Sequence, residues 1–92
     1  MIEVRQTDIY ARCYAKLRDR QAKARIDVRI RRLSLGNPGD VKCISELRID
    51  YGPGYRVYFT YRGKKLVILL AGGDKTSQAS DILAAQELAR NL

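Results

Sequence analysis

The stretch from Glu46 to Ala71 reads ELRIDYGPGYRVYFTYRGKKLVILLA, and its hydrophobic pattern decides the fold class. Apolar and polar residues alternate over residues 46–50 and again over residues 55–62, which predicts strands with one buried face. Residues 65–71 are almost continuously apolar, which predicts a central strand covered on both faces. Because glycine-containing turns such as Gly52-Pro53-Gly54 separate these segments, the stretch predicts an antiparallel sheet.

Two helices are predicted before this stretch, where apolar residues recur with a period of about 3.6. The first is expected to begin at Thr7 or Asp8 and to run to about residue 18, with Ile9, Cys13 and Leu17 on one side, flanked by tyrosines. The second is expected to end near residue 34. Its narrow apolar stripe consists of Ala22, Ile26, Ile30 and Leu33.

The remaining segments complete the predicted order β-αα-ββββ-α. We expect a strand over residues 2–6, a weak strand over Val41–Ile44 after a turn-rich loop, and a last helix from about residue 77 to Arg90. The candidate buried residues of the last helix are Ile82, Leu83, Ala85, Leu88 and Ala89. This order predicts one α+β domain over residues 1–92, with a mostly antiparallel sheet and two N-terminal helices packed on one face.

Composition restricts the chemistry. The chain has 92 residues and no histidine, which excludes catalysis by a Ser-His-Asp or Cys-His arrangement. Its two cysteines, Cys13 and Cys43, cannot supply the four ligands of a zinc site, so we expect buried thiols and no metal or cofactor. The longest apolar run, Leu66–Ala71, is far too short for a membrane span, and the N-terminus lacks a signal-peptide pattern. We therefore expect a cytoplasmic protein.

The net charge points to polyanionic partners. Lys and Arg number 18 against 10 Asp and Glu, for a net charge of +8. This excess favours nucleic acid as a partner, with an acidic protein as the main competitor. Because the second helix is strongly basic, we take Lys23 and Arg31 as candidate RNA-binding residues, although a solvated helix face is the commoner explanation of such a pattern.

The alternation also predicts which side chains share a sheet face. If Val57 and Phe59 face the core, then Arg56, Tyr58 and Arg62 emerge on the opposite face, where strand pairing brings Arg48 near Arg56 or Tyr58. Such a face could bind phosphates through arginine and stack bases on Tyr58. A solvated polar face is the alternative.

Three segments together resemble the RelE/ParE toxin superfamily, and in particular its HigB-like addiction module killer protein group. They are SELRIDYGPGYRVYF at 45–59, LLAGGDK at 69–75, and Asp81-Ile82. The resemblance implies a small β-αα-βββ(β) toxin of a type II toxin-antitoxin system. It also implies a helix-turn-helix antitoxin encoded by the adjacent gene and, in the RelE and HigB branches, cleavage of mRNA on the ribosome.

The resemblance assigns catalytic positions as well. They fall on Glu46 and Arg48 before the turn, on Arg56 after it, and on Lys75 beyond the last strand. Glu46 stands where RelE-type enzymes have a lysine, and Asp81 stands about where they have a base-stacking tyrosine. In such a site the arginines would bind the phosphate, Glu46 would act as base and Lys75 as proton donor. The alternatives are a noncatalytic ParE-like toxin acting on DNA gyrase and a basic RNA-binding module.

Overall fold

A computed structural model describes residues 2–35, 44–63 and 66–91. It contains a four-stranded sheet with helices on both faces, which confirms the predicted α+β class. In chain order the elements are β1 (Glu3–Gln6), α1 (Asp8–Lys16), α2 (Arg20–Leu35), β2 (Ser45–Ile49), β3 (Tyr55–Arg62), β4 (Leu66–Gly73) and α3 (Gln78–Arg90). A short 3-10 helix, Lys75–Ser77, directly precedes α3.

The sheet order is β1-β4-β3-β2, so β4 is an interior strand and β2 lies at an edge. The β2–β3 and β3–β4 pairs are antiparallel, whereas β1 runs parallel to β4. The continuously apolar segment is therefore a central strand, as predicted. The turn between β2 and β3 requires glycine, because Gly52 and Gly54 have φ values of 59° and 82°, which side chains disfavour.

Helices α1 and α2 cover one face of the sheet. The buried residues of this layer are Ile2, Tyr10, Ile26, Ile49, Val57, Phe59, Val67 and Leu69. The predicted apolar stripe of α2 is confirmed, since Ala22 and Ile26 are buried and Ile30 and Leu33 pack against the core. On α1 the buried residue is Tyr10 and not Ile9, which remains 37% exposed.

Helix α3 covers the other face, which the strand pattern predicted to be open. The residues buried there are Tyr58, Leu70, Ala71 and Ala85. The expected exposure of Tyr58 is therefore wrong, because α3 packs directly above it. Leu83 is also misassigned: it was expected in the core and is 66% exposed, on the outer side of α3.

Some predicted features lie outside the described residues. They include the loop over residues 36–40, Cys43, and most of the weak strand Val41–Ile44, of which Ile44 precedes β2 without belonging to a strand. Cys13 is a free thiol and is half-buried, so its predicted burial is only partial. Among the described helices, none is both long enough and apolar enough to cross a membrane.

Candidate active site

The pairing of β2 with β3 places Arg48 directly opposite Arg56. The pairing confirms the expectation that Arg48 lies near Arg56 or Tyr58, and it places both arginines at the same end of the sheet. Glu46 lies on the same face, because it is two residues before Arg48 on an extended strand. Its carboxylate forms an ion pair with Arg56 and a second one with Arg48, whose Nε lies 3.6 Å from Glu46 Oε2.

The three charged side chains differ sharply in exposure. The Arg56 side chain is 13% exposed and that of Glu46 is 26% exposed, whereas that of Arg48 is 72% exposed. Arg56 is therefore held by Glu46 at the base of the cluster, and Arg48 extends into solvent. With two cations and one anion, the cluster keeps a net positive charge and can bind an anionic group.

Tyr58 lies beside this cluster, directly opposite Glu46 on the neighbouring strand. Tyr58 is 1% exposed, and its hydroxyl is buried without a hydrogen-bond partner among the described residues. Burial raises the pKa of Tyr58, and the negative charge of Glu46 adds to the rise. Because α3 covers the ring, Tyr58 offers no surface on which an RNA base could stack.

The turn from β4 into α3 brings Lys75 to the same end of the sheet. Gly73 at the end of β4 pairs with Arg56, and Lys75 packs near Gly54 of the β2–β3 turn. The backbone N–H groups of the 3-10 helix donate to the Asp74 carboxylate, at 2.9 Å for Thr76 and 3.3 Å for Ser77. Hydrogen bonds from Thr76 lower the pKa of Asp74. The Asp74 carboxylate thus occupies the backbone N–H groups at this helix start.

Sequence reasoning missed a contact that closes over Gly73. The Ser77 hydroxyl donates to Asp81 Oδ2 at 2.5 Å, and both side chains crowd the Gly73 backbone. A Gly-Gly pair such as Gly72-Gly73 by itself indicates only a turn. The helical spacing of Ser77 and Asp81, four residues apart, is the signal that could have placed them on one side of the helix start.

The other candidate RNA-binding residues do not converge on this cluster. Arg62 lies at the opposite end of β3 from Arg56, where its Nη2 approaches the Ala89 carbonyl at 3.4 Å. Lys23 sits over the Tyr14 ring, 4.9 Å from its centroid, and Arg31 is exposed on α2. The structure therefore brings Glu46, Arg48 and Arg56 into contact and places Lys75 at the same end of the sheet, near Gly54. It leaves Arg62, Lys23 and Arg31 elsewhere.

Comparison with known proteins gives one informative result. The chain is 46% identical over 95 residues to an uncharacterized protein of Haemophilus influenzae, and the alignment covers 99% of this chain and 96% of the relative. No protein-family profile matches the chain, and no solved structure matches it. The identity extends over both proteins almost completely, so the chain belongs to the same family as the Haemophilus influenzae protein.

Proposed function

We propose that the protein is the toxin of a type II toxin-antitoxin system and that it cleaves mRNA on translating ribosomes. The observation that supports this most is the pair of arginines, Arg48 and Arg56, placed opposite each other on neighbouring strands. Lys75 at the same end of the sheet and the resemblance to HigB-like toxins point the same way. A cytoplasmic location follows from this proposal, because its substrate is translated mRNA.

The chemistry uses the cluster of Glu46, Arg48 and Arg56 together with Lys75 and solvent. The 2′-hydroxyl of the substrate gives up its proton to a water molecule, its oxygen attacks the adjacent phosphorus, the bond from phosphorus to the 5′-oxygen breaks, and a 2′,3′-cyclic phosphate results. Arg48 and Arg56 stabilise the charge that develops on the phosphate oxygens, because guanidinium groups match them in shape and stay protonated. Lys75 donates the proton that the leaving 5′-oxygen requires.

Glu46 serves this reaction first as a positioning residue. Its two carboxylate oxygens face Arg56 and Arg48, so the carboxylate fixes the guanidinium that lies deepest in the site. Without histidine, the cluster lacks the usual acid–base pair of a free ribonuclease. We therefore assign to the ribosome the task of orienting the 2′-hydroxyl in line, since such orientation supplies several kcal/mol.

An acidic antitoxin fits the charge of the molecule. A chain with a net charge of +8 attracts acidic partners over long range, and association guided in this way is fast and salt-dependent. We propose that the cognate antitoxin is a helix-turn-helix protein encoded by the adjacent gene. Its presence beside this gene would support the toxin class without identifying the target.

The decisive experiment measures cleavage of mRNA on purified translating ribosomes, mapped by primer extension. Arg48→Ala should retain the fold, because the side chain is largely exposed, and should reduce single-turnover cleavage by about 100-fold or more. Arg12→Ala, an exposed change on α1, is the matched control and should cleave like the wild type. Wild-type cleavage by Arg48→Ala would refute the assigned site.

The role of Glu46 is tested by Glu46→Gln in the same assay. An amide keeps the shape but loses the charge that holds Arg56, so we expect slower cleavage with an unchanged pH profile. Loss of the acidic limb of the profile would make Glu46 the general base instead. If the wild type cleaves no mRNA on ribosomes at any pH, the nuclease proposal fails and DNA gyrase becomes the target to test.

A further inference from the structure

A stripe of three arginines lines a groove between α2 and the edge strand β2. Arg25, Arg29 and Arg32 follow one another at spacings of four and three residues, which places them on one side of the helix. They span about 10 Å along the helix axis at 1.5 Å per residue. The groove encloses about 590 Å³ and is open to solvent.

Two of the three arginines are held in place by contacts with β2 and with the turn that follows it. The Arg25 guanidinium lies 4.6 Å from the centroid of the Tyr51 ring, and the Tyr51 hydroxyl donates to Asp19 at 3.1 Å. Arg29 Nη1 donates to the Arg48 carbonyl at 2.9 Å. Cations that are already fixed lose less conformational entropy when a ligand binds.

The stripe also keeps its charge. Among the described residues that line the groove, Asp50 is the one acidic side chain. Asp27, also on α2, accepts a hydrogen bond from the Tyr14 hydroxyl at 2.7 Å on another side of the helix. The ion pairs found among the described residues involve none of the three arginines. The groove therefore presents net positive charge to solvent.

We propose that this groove binds the phosphodiester backbone of RNA, independently of the Arg48–Arg56 cluster. The stripe matches about three nucleotide steps of a stacked strand, at about 3.4 Å each. Guanidinium groups suit phosphate oxygens, and a row of them reads charge and not base sequence. Because α2 covers the sheet face opposite to the Arg48–Arg56 cluster, the bound RNA segment differs from the one cleaved under the proposed function.

The test measures binding of a short, single-stranded 2′-O-methylated oligouridylate by fluorescence anisotropy at several salt concentrations. This RNA lacks a free 2′-hydroxyl, so the result does not depend on whether the protein is a nuclease. The variant replaces Arg25, Arg29 and Arg32 with Gln. We expect about a ten- to hundredfold loss of affinity at moderate salt, and a slope of log affinity against log salt that is shallower by about 2.

The matched control replaces three exposed arginines outside the groove, Arg12, Arg18 and Arg20, with Gln. It removes the same charge and should lose about threefold or less in affinity. Equal losses in the two triple variants would overturn the inference in favour of diffuse attraction. Absence of RNA binding by the wild type would also overturn it, as would binding of poly-glutamate in place of RNA through the same residues.

Two further variants keep the test decisive if the triple Gln variant unfolds. Replacement of the three stripe arginines with Lys keeps the charge, so the salt slope should stay close to that of the wild type, and affinity should fall by less than about tenfold. Arg32→Gln should lose affinity by about threefold and lower the salt slope by about 0.7. Unchanged affinity and slope in Arg32→Gln would contradict the proposal.

Discussion

At Gly73 the backbone passes so close to α3 that a side chain has no room. A Cβ atom there would overlap the Asp81 carboxylate and lie 2.6 Å from Ser77 Oγ. Glycine is therefore required at position 73 for lack of space and not for its backbone angle. The positive φ values among the described residues occur at Gly52, Gly54 and Gly63. This close approach fixes the start of α3 against Arg56, which pairs with Gly73.

Gly73→Ala should destabilise the protein by about 1–3 kcal/mol, as overpacking does in a site that cannot relax. Denaturant unfolding measures this loss. In the double variant Gly73→Ala with Asp81→Ala, part of the stability should return, because the nearest obstacle to the new methyl group is removed. A Gly73→Ala variant as stable as the wild type would show that the helix start moves aside without cost.

At the scale of elements, side-chain direction was predictable from the sequence and layer coverage was not. Strict alternation in β2 and β3 correctly predicted that Arg48 and Arg56 share a face, because the period of a strand leaves no freedom. The partner of Arg48 was left open between Arg56 and Tyr58, and the register makes it Arg56. The same alternation could not show that α3 covers Tyr58. A buried tyrosine and an exposed one fit the same strand pattern, and a contact with a distant helix decides between them.

Burial on helix α3 was also not predictable from residue spacing alone. Truncation of Leu83 on α3 and of Leu69 in β4 tests the difference in burial. Leu69 is 3% exposed in the sheet, so Leu69→Ala should lower the free energy of unfolding by about 2–5 kcal/mol. Leu83 is 66% exposed although its spacing suggested the core, so Leu83→Ala should change it by about 0.5 kcal/mol or less. Urea unfolding of both variants checks the pair. Equal losses would place Leu83 in a buried layer.

The contact between α1 and α2 predicts a response to alkaline pH. Burial, together with the hydrogen bond to Asp27, raises the pKa of Tyr14 from 10.0 to about 12. Because the folded state favours the protonated phenol, this stabilisation is complete below pH 10 and is lost as pH rises toward about 12. Urea unfolding at several pH values should show the loss. Both Tyr14→Phe and Asp27→Asn should reduce it, and an identical pH dependence in all three proteins would contradict the assignment.

At the scale of the whole molecule, the dominant electrostatic feature is an excess of positive charge that the acidic residues do not balance. Three ion pairs are found among the described residues, and two of them share Glu46. A net charge of +8 therefore leaves many cations without a fixed counter-charge in a chain of 92 residues. Mutual repulsion of these groups opposes the compact state, and the same repulsion is relieved when a polyanion binds.

Added salt should consequently stabilise the isolated protein. Between 0.01 M and 0.15 M NaCl the screening length falls from about 30 Å to about 8 Å, which weakens repulsion across the molecule. If about 1 kcal/mol of repulsion is relieved, the Tm should rise by about 4–8 °C in a domain of this size. Calorimetry over this salt range measures the change.

Replacing Arg12, Arg18 and Arg20 with Gln provides the control, because it lowers the net charge from +8 to +5. The salt-induced rise in Tm should shrink in this variant, since fewer like charges remain to be screened. Sodium sulfate at matched ionic strength separates screening from anion binding: a much larger rise in sulfate would indicate bound anions. A Tm that falls with added NaCl would mean that local ion pairs, above all Arg56 with Glu46, outweigh the repulsion, and that the excess of arginine does not destabilise the folded chain.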